Sequence, residues 1–211
     1  MKVLIIDLEL TCWNYPTEQI PEIIQIGLIE VDTLTRMITR KKEMYVLPEK
    51  TEISEFCTEL TGITKKQVYK QGIPYDKAIE ILEKKFGFKN KLVMGWGRDD
   101  KAFRDDVDQY MNLSHFYSMI NLTDEKFKLE DAIKREGLTF EGKAHNALVD
   151  AENTAKLFIH LMNRIPSIIP KEKVCRTCKD YLSVKGECLS IHTGKTKVAN
   201  SDTCNYWREN R

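Results

Sequence analysis

The sequence predicts an α/β fold, a mixed β-sheet flanked by helices, followed by a small cysteine-rich metal-binding module. Three observations carry this. The first three apolar stretches are strand-like and joined by short loops. The stretches after them alternate between helical and extended patterns, which calls for a sheet covered by helices. Beyond residue 170, large apolar residues thin out and cysteines appear at 175, 178, 188 and 204.

The elements follow in order. Lys2-Val-Leu-Ile-Ile-Asp-Leu-Glu-Leu-Thr11 opens with branched apolar residues and reads as a buried strand. Residues 22–32 and 37–47 read as a second and third strand, the latter ended by Pro48, in an antiparallel meander. Residues 54–60 form a short helix with Ser54 as its cap. Residues 75–86 form a clearer one: Pro74 precedes it, and Ala78, Ile79, Leu82 and Phe86 fall at helical spacing. Residues 91–95 are a short apolar strand. Residues 99–111 read as helix on the stripe Ala102, Phe103, Val107, residues 116–122 as strand, and residues 123–135 as helix. A long helix spans 147–163, with Leu148, Ala151, Ala155, Phe158, Ile159 and Met162 on its apolar side. Ile165-Pro-Ser-Ile-Ile-Pro170 breaks the pattern, so the expected organisation is a domain at 1–164, a linker at 165–170 and a module at 171–211.

With 42% hydrophobic and 31% charged residues among 211, the chain sustains a packed core. No apolar run approaches the roughly 20 residues of a membrane helix. The apolar start is short and runs into carboxylates, unlike a secretory leader, so the expectation is a cytoplasmic protein that does not engage a membrane. Net charge is +1, but residues 171–211 carry nine Lys/Arg against five Asp/Glu, leaving the rest acidic. Bulk charge therefore does not announce a nucleic-acid binder. A carboxylate-lined metal site would itself make the main domain acidic.

The chemistry sits at three stations. Asp7 and Glu9 stand at i and i+2 of a strand, hence on one face. Like charges so close on a buried strand need compensation, and a hard divalent cation, Mg²⁺ or Mn²⁺, suits paired oxygen ligands. Gly95-Trp-Gly-Arg-Asp-Asp100 joins a strand to a helix, and one of its two carboxylates serves the helix end while the other is free to face the sheet. In Gly142-Lys-Ala-His-Asn-Ala-Leu-Val-Asp150, Asn146 caps the long helix, while His145 and Asp150 converge on its start. A carboxylate beside a titratable imidazole serves metal-assisted hydrolysis.

Together the stations resemble, over about residues 1–162, the DEDDh 3′→5′ exonuclease family with its ribonuclease-H-like fold. Asp-Leu-Glu-Leu-Thr-Cys12, Pro21-Glu-Ile-Ile-Gln-Ile-Gly27 and Phe56-Cys-Thr-Glu-Leu-Thr-Gly-Ile-Thr64 are similar to its Eri-type branch, and KapD-like bacterial exonucleases share the layout. The resemblance implies two Mg²⁺ or Mn²⁺ ions held by Asp7, Glu9, Asp100 and Asp150, with Asp100 chosen over Asp99 on the Trp-Gly-x-x-Asp spacing. It implies His145 as general base for a water attacking the last phosphodiester, with release of a nucleoside 5′-monophosphate. The expected substrate is single-stranded nucleic acid, RNA favoured over DNA. Leu8, Leu10 and Thr11 would contact the terminal nucleotide, and Trp13, Tyr15 and Trp96 are candidates for base stacking. Two other readings compete: a nucleic-acid-binding protein without turnover, and a proofreading subunit active only with a polymerase.

Cys12 and Cys57 read as separate core residues. In the tail, Cys175-x₂-Cys178, Cys188 and Cys204 lie in a segment too poor in apolar residues to fold on its own core. Four thiolates around Zn²⁺ would supply the stability. Most zinc ribbons end in a second Cys-x₂-Cys, which this tail lacks, so a [4Fe–4S] cluster is the alternative. His192 could substitute as a ligand but reads better as a loop residue, and the basic residues beside these cysteines suit either nucleic acid or an ordinary solvated surface.

Overall fold

In the computed structural model, residues 1–164 are described in full, together with the backbone of 181–182 and 187–188. The chain divides into two units, Met1–Arg164 and Ile165–Arg211. In the second, β6 (Tyr181–Leu182) pairs antiparallel with β7 (Glu187–Cys188). The linker expected at 165–170 and the side chains of Cys175, Cys178, Cys188, His192 and Cys204 lie outside the described residues.

The first unit is built on a five-stranded mixed sheet in the order β3-β2-β1-β4-β5. Its strands are β1 (Lys2–Leu10), β2 (Ile23–Asp32), β3 (Met37–Tyr45), β4 (Val93–Gly95) and β5 (Tyr110–Asn112). β1, β2 and β3 form the expected antiparallel meander, and β4 and β5 add parallel to β1. Strand β1 is buried on both faces because it is central. Leu4, Ile6 and Leu8 pack towards α3 (Tyr75–Phe86), while Val3 and Ile5 pack towards Ala151, Ala155 and Phe158 of α6 (Ala147–Arg164). Asp7 and Glu9 continue the α6 face by the strand's two-residue alternation.

Helix α1 (Glu55–Thr61) starts where Ser54 accepts a hydrogen bond from the Cys57 amide at 2.9 Å. Helix α2 (Lys65–Gln71) was not expected from the sequence; Thr64 and Gln67 form a reciprocal capping box that launches it. Two expectations are overturned. Residues 99–111 are not a helix but one 3₁₀ turn (Asp99–Ala102), a reversal through Arg104 and Asp105 at positive φ, and then β5. The pull is tertiary: Phe103 is fully buried against Phe88, and Asp106 accepts from the Tyr75 hydroxyl at 3.0 Å and pairs with Lys89 at 2.9 Å. Residues 116–122 are not a strand: 116–120 belong to α4 (Leu113–Ile120) and 121–122 form the turn after it. Asn112 accepts from the Ser114 amide at its start, and Leu113 and Tyr117 are buried one turn apart. The helix expected over 123–135 is confined to α5 (Leu129–Arg135). Among the described residues no helix is long and apolar enough to cross a membrane.

Glu30, on β2, is fully buried and gathers cations from three parts of the sheet: Lys2 at 3.0 Å, Lys91 at 2.7 Å, and Arg40, with the Thr39 hydroxyl donating at 2.7 Å. Arg40 heads the groups that hold this carboxyl far below its usual range. Its contribution to stability is present above the unfolded value near 4.5 and is lost as pH falls towards the depressed folded one. Glu30→Gln is expected to cost about 3 kcal/mol in urea melts at pH 7. That deficit should shrink progressively below about pH 4.5; a deficit constant down to acid unfolding would assign it to packing.

Candidate active site

Two close approaches assemble the site. Gly27 on β2 faces the start of α6, and a Cβ there would stand 2.1 Å from the Ala147 carbonyl oxygen and 2.4 Å from the Leu148 nitrogen. Only glycine lets the helix lie this low on the sheet. Gly95 ends β4, where a Cβ would meet both Asp99 Oδ2 and the Tyr110 hydroxyl at 2.4 Å. Asp99 thus occupies space that a side chain at 95 would fill.

Asp7, Glu9 and Asp150 converge so that one oxygen of each lies within 4.8 Å of the others. Asp7 is partly buried and Glu9 is 8% exposed. Asp150 is fixed at the start of α6: its Oδ2 accepts from the His145 amide at 2.9 Å, and Asn146 caps the helix by accepting from the Val149 amide at 3.1 Å. Asp99 lies outside that 4.8 Å group but close enough for its charge to act on Asp7 and Glu9. The Tyr110 hydroxyl lies 3.1 Å from the Gly97 carbonyl oxygen and 3.3 Å from Asp99 Oδ2, donating its one proton between them.

The electrostatics follow from burial of like charges. Burial first, then Asp99, Asp150 and Glu9, push the Asp7 carboxyl well above its ordinary range. Burial, then Asp150 and Asp99, push Glu9 up to about 7. Burial pushes Asp99 up to about 6 against the Tyr110 hydrogen bond, and also raises Asp150 against the His145 amide. Among the described residues no Lys or Arg forms an ion pair with any of these four. An all-oxygen donor set, half-buried and short of positive charge, fits a hard divalent cation.

Asp100, the residue selected by the Trp-Gly-x-x-Asp spacing, is not in this group. It accepts from Arg98 Nε and Nη2, at 2.9 and 2.8 Å, and the guanidinium holds its carboxyl below the usual range. Asp99 is the carboxylate turned towards Asp7 and Glu9. On a single 3₁₀ turn the two neighbours diverge, and nothing in the local sequence ranks them. His145 joins the group through its backbone; its residue is exposed and has φ +63°.

The residues expected to touch substrate divide. Leu8 is in the core, and the buried Thr11 hydroxyl bonds Thr51 at 2.9 Å and accepts from the Glu22 amide at 2.9 Å. Trp96 donates its indole N–H to the Phe127 carbonyl at 3.1 Å and packs on Tyr117. These three side chains hold the fold together. Leu10 and Trp13 are partly exposed and Tyr15 is open. Cys12 and Cys57 are not separate: burial and contact with the Cys57 thiol push Cys12 up to about 12, which keeps it an unreactive thiol.

A family model described as exonuclease, RNase T, matches residues 4–158. The chain is 28% identical to the 3′-5′ exoribonuclease 1 of Mus musculus over 181 residues, covering 76% of this chain and 52% of that protein. Similarity to ERI1 exoribonuclease 2 of Mus musculus, 28% identical, covers 96% of this chain and 34% of that protein, and so reaches into the C-terminal unit. The chain thus spans about a third to a half of the length of these curated relatives. Among solved structures, the nuclease domain of 3′hExo, described as a DEDDh family member bound to rAMP, superposes with TM-score 0.69 at 25% identity over 78% of this chain and 92% of that one.

The raised carboxylates set a pH dependence. The folded protein holds Glu9's proton more tightly than the unfolded chain does, so without metal its stability falls as pH rises from about 4.5 to 7. Glu9 alone accounts for roughly 3 kcal/mol. Urea melts in EDTA should show this decline, and Mn²⁺ should reverse it at pH 8; a flat profile would mean the charges are compensated within the protein.

Proposed function

The chain belongs to the RNase T-type exonuclease family, and on that premise we propose that it removes nucleotides from the 3′ end of single-stranded RNA, releasing nucleoside 5′-monophosphates. The observation that carries this reading is the convergence of Asp7, Glu9 and Asp150, with Asp99 adjoining, at a place with no cationic partner among the described residues. Relatives and a superposed structure named for exoribonuclease activity and for bound rAMP favour RNA as the substrate.

Asp7, Glu9, Asp99 and Asp150 would hold two Mg²⁺ or Mn²⁺ ions, which supply a lowered water pKa and a counter-charge for the leaving 3′ oxygen. The protein's own residues do the rest. Tyr110 fixes the Asp99 carboxylate, and the His145 amide fixes Asp150. The imidazole of His145, an exposed residue whose amide bonds Asp150, would take the proton of the attacking water on a ring nitrogen. The terminal nucleotide lies along the end of β1, against Leu10 and the backbone beside Glu9. Trp13 offers a face to its base.

The test is an assay on 5′-labelled single-stranded RNA and DNA of matched sequence with Mn²⁺ or Mg²⁺. A ladder shortening from the 3′ end and faster on RNA is expected. Asp7→Asn and Asp99→Asn should abolish it, Asp100→Asn should stay within about threefold, and His145→Ala should lose about 10²–10⁴-fold. No ladder from folded protein, or full activity in His145→Ala, would overturn the reading.

The tail follows the same reading as a metal module. Cys175, Cys178, Cys188 and Cys204 would hold one Zn²⁺, and the basic residues among them would suit a nucleic-acid backbone. Metal analysis of anaerobically purified protein should find one zinc per chain. Iron with acid-labile sulfide would replace zinc by a cluster, and metal-free thiols would sink both.

A further inference from the structure

Gln25 is a fully buried polar side chain that the proposed chemistry does not use. It lies on β2 directly opposite Glu9 of β1, so both side chains project from the α6 face. Its Oε1 accepts a buried hydrogen bond from the amide of Ala147, the first residue of α6, at 2.9 Å. Its Nε2 donates to Glu43 Oε1 on β3 at 2.7 Å.

The second bond decides the first. A side-chain amide presents an oxygen at one end and an NH₂ at the other. The Glu43 carboxylate can only accept, so it takes the NH₂ end and turns the oxygen towards Ala147. Two residues further along β2, Gly27 admits the Ala147 carbonyl where a Cβ would collide. The same peptide segment of α6 is therefore held at two points by one strand. That segment is rigidly linked to Asp150, which lies within the same turn, and to His145, whose amide bonds Asp150.

We infer that Gln25 is a positioning residue for the metal site: by anchoring the first residue of α6 beside Glu9, it sets the separation of Asp150 from Asp7 and Glu9. This rests on the exonuclease reading of the acidic group. A ligand set built from two separate elements binds a hard cation tightly only if the elements are held at one spacing. Gln25 is a buried polar link from β2, the strand paired with β1, to the start of α6.

The test is Mn²⁺ binding by calorimetry on the full chain, with Asp7→Asn as the reference for binding at this site. Gln25→Met keeps the bulk and removes both bonds; Glu43→Ala, at an exposed position, releases the amide without opening the core. Gln25→Met should weaken Mn²⁺ binding at least tenfold, and Glu43→Ala at least threefold. In the nuclease assay, the loss in Gln25→Met should fall on kcat at limiting Mn²⁺ and recede with added Mn²⁺, while the KM for oligonucleotide stays unchanged. Wild-type Mn²⁺ binding by Gln25→Met, or by Glu43→Ala, would overturn the inference. Where circular dichroism shows Gln25→Met unfolded, Glu43→Ala alone decides by the same two outcomes. Wild-type protein showing no Asp7-dependent Mn²⁺ binding would instead defeat the reading of the acidic group itself, and this inference with it.

Discussion

The seat of α6 on the sheet at Gly27 is the contact on which the site depends. Asp7 and Glu9 belong to β1 and Asp150 to α6, and these elements meet as a metal-binding group only where the helix start lies low over β2. The geometry excludes any side chain at position 27. The apolar contacts of Val3 and Ile5 with Ala151, Ala155 and Phe158 then hold the rest of the helix down. Burial of this face is worth far more than any single polar contact in the site. The hydrophobic packing thus provides the force, and the glycine decides where that force brings the carboxylates.

Two buried glutamates in the same sheet show what the arrangement costs. Glu30 is surrounded by Lys2, Arg40 and Lys91, and its carboxyl is held far below the usual range. Glu9 is surrounded by Asp7, Asp99 and Asp150, and its carboxyl is pushed up to about 7. Burial raises both; the difference is the sign of the neighbours. A fold able to place three cations around one carboxylate leaves four others without an ion pair among the described residues. That contrast argues for an external cation more strongly than acidity alone.

Much of this was legible in the sequence. The strands of the meander, α3 and α6 follow from apolar periodicity, because each buries a whole face against the core. The Asp7–Glu9 pair is readable because a strand's alternation puts i and i+2 together. Legibility fails where tertiary contacts outweigh local pattern. Residues 99–111 carry a helical stripe, yet the core claims Phe103, and Tyr75 and Lys89 claim Asp106. Residues 116–122 look extended from composition, yet a cap at Asn112 starts a helix through 116–120. Asp99 and Asp100 are equivalent in sequence, and only the space opened by Gly95 and the Arg98 fork separates them. Gln25 stood in the Pro21–Gly27 motif, but its role was not legible there, since its partners lie on α6 and β3.

The charge balance of the site sets a condition on its substrate. Ionised together, Asp7, Glu9, Asp99 and Asp150 carry four negative charges, and a phosphodiester brings another. In a half-buried space such charges repel strongly. With burial raising all four, and the neighbouring carboxylates raising Asp7 and Glu9 further, the protein alone reduces the repulsion by retaining protons, which leaves a site with weak metal ligands. Two divalent cations would remove both problems, since they displace those protons and bring the carboxylates to formal neutrality before the phosphate arrives. One would leave a net negative site facing a negative substrate. On the exonuclease reading proposed above, a four-carboxylate group of this kind therefore favours a pair of cations over one and would tie the approach of a nucleic acid to their presence.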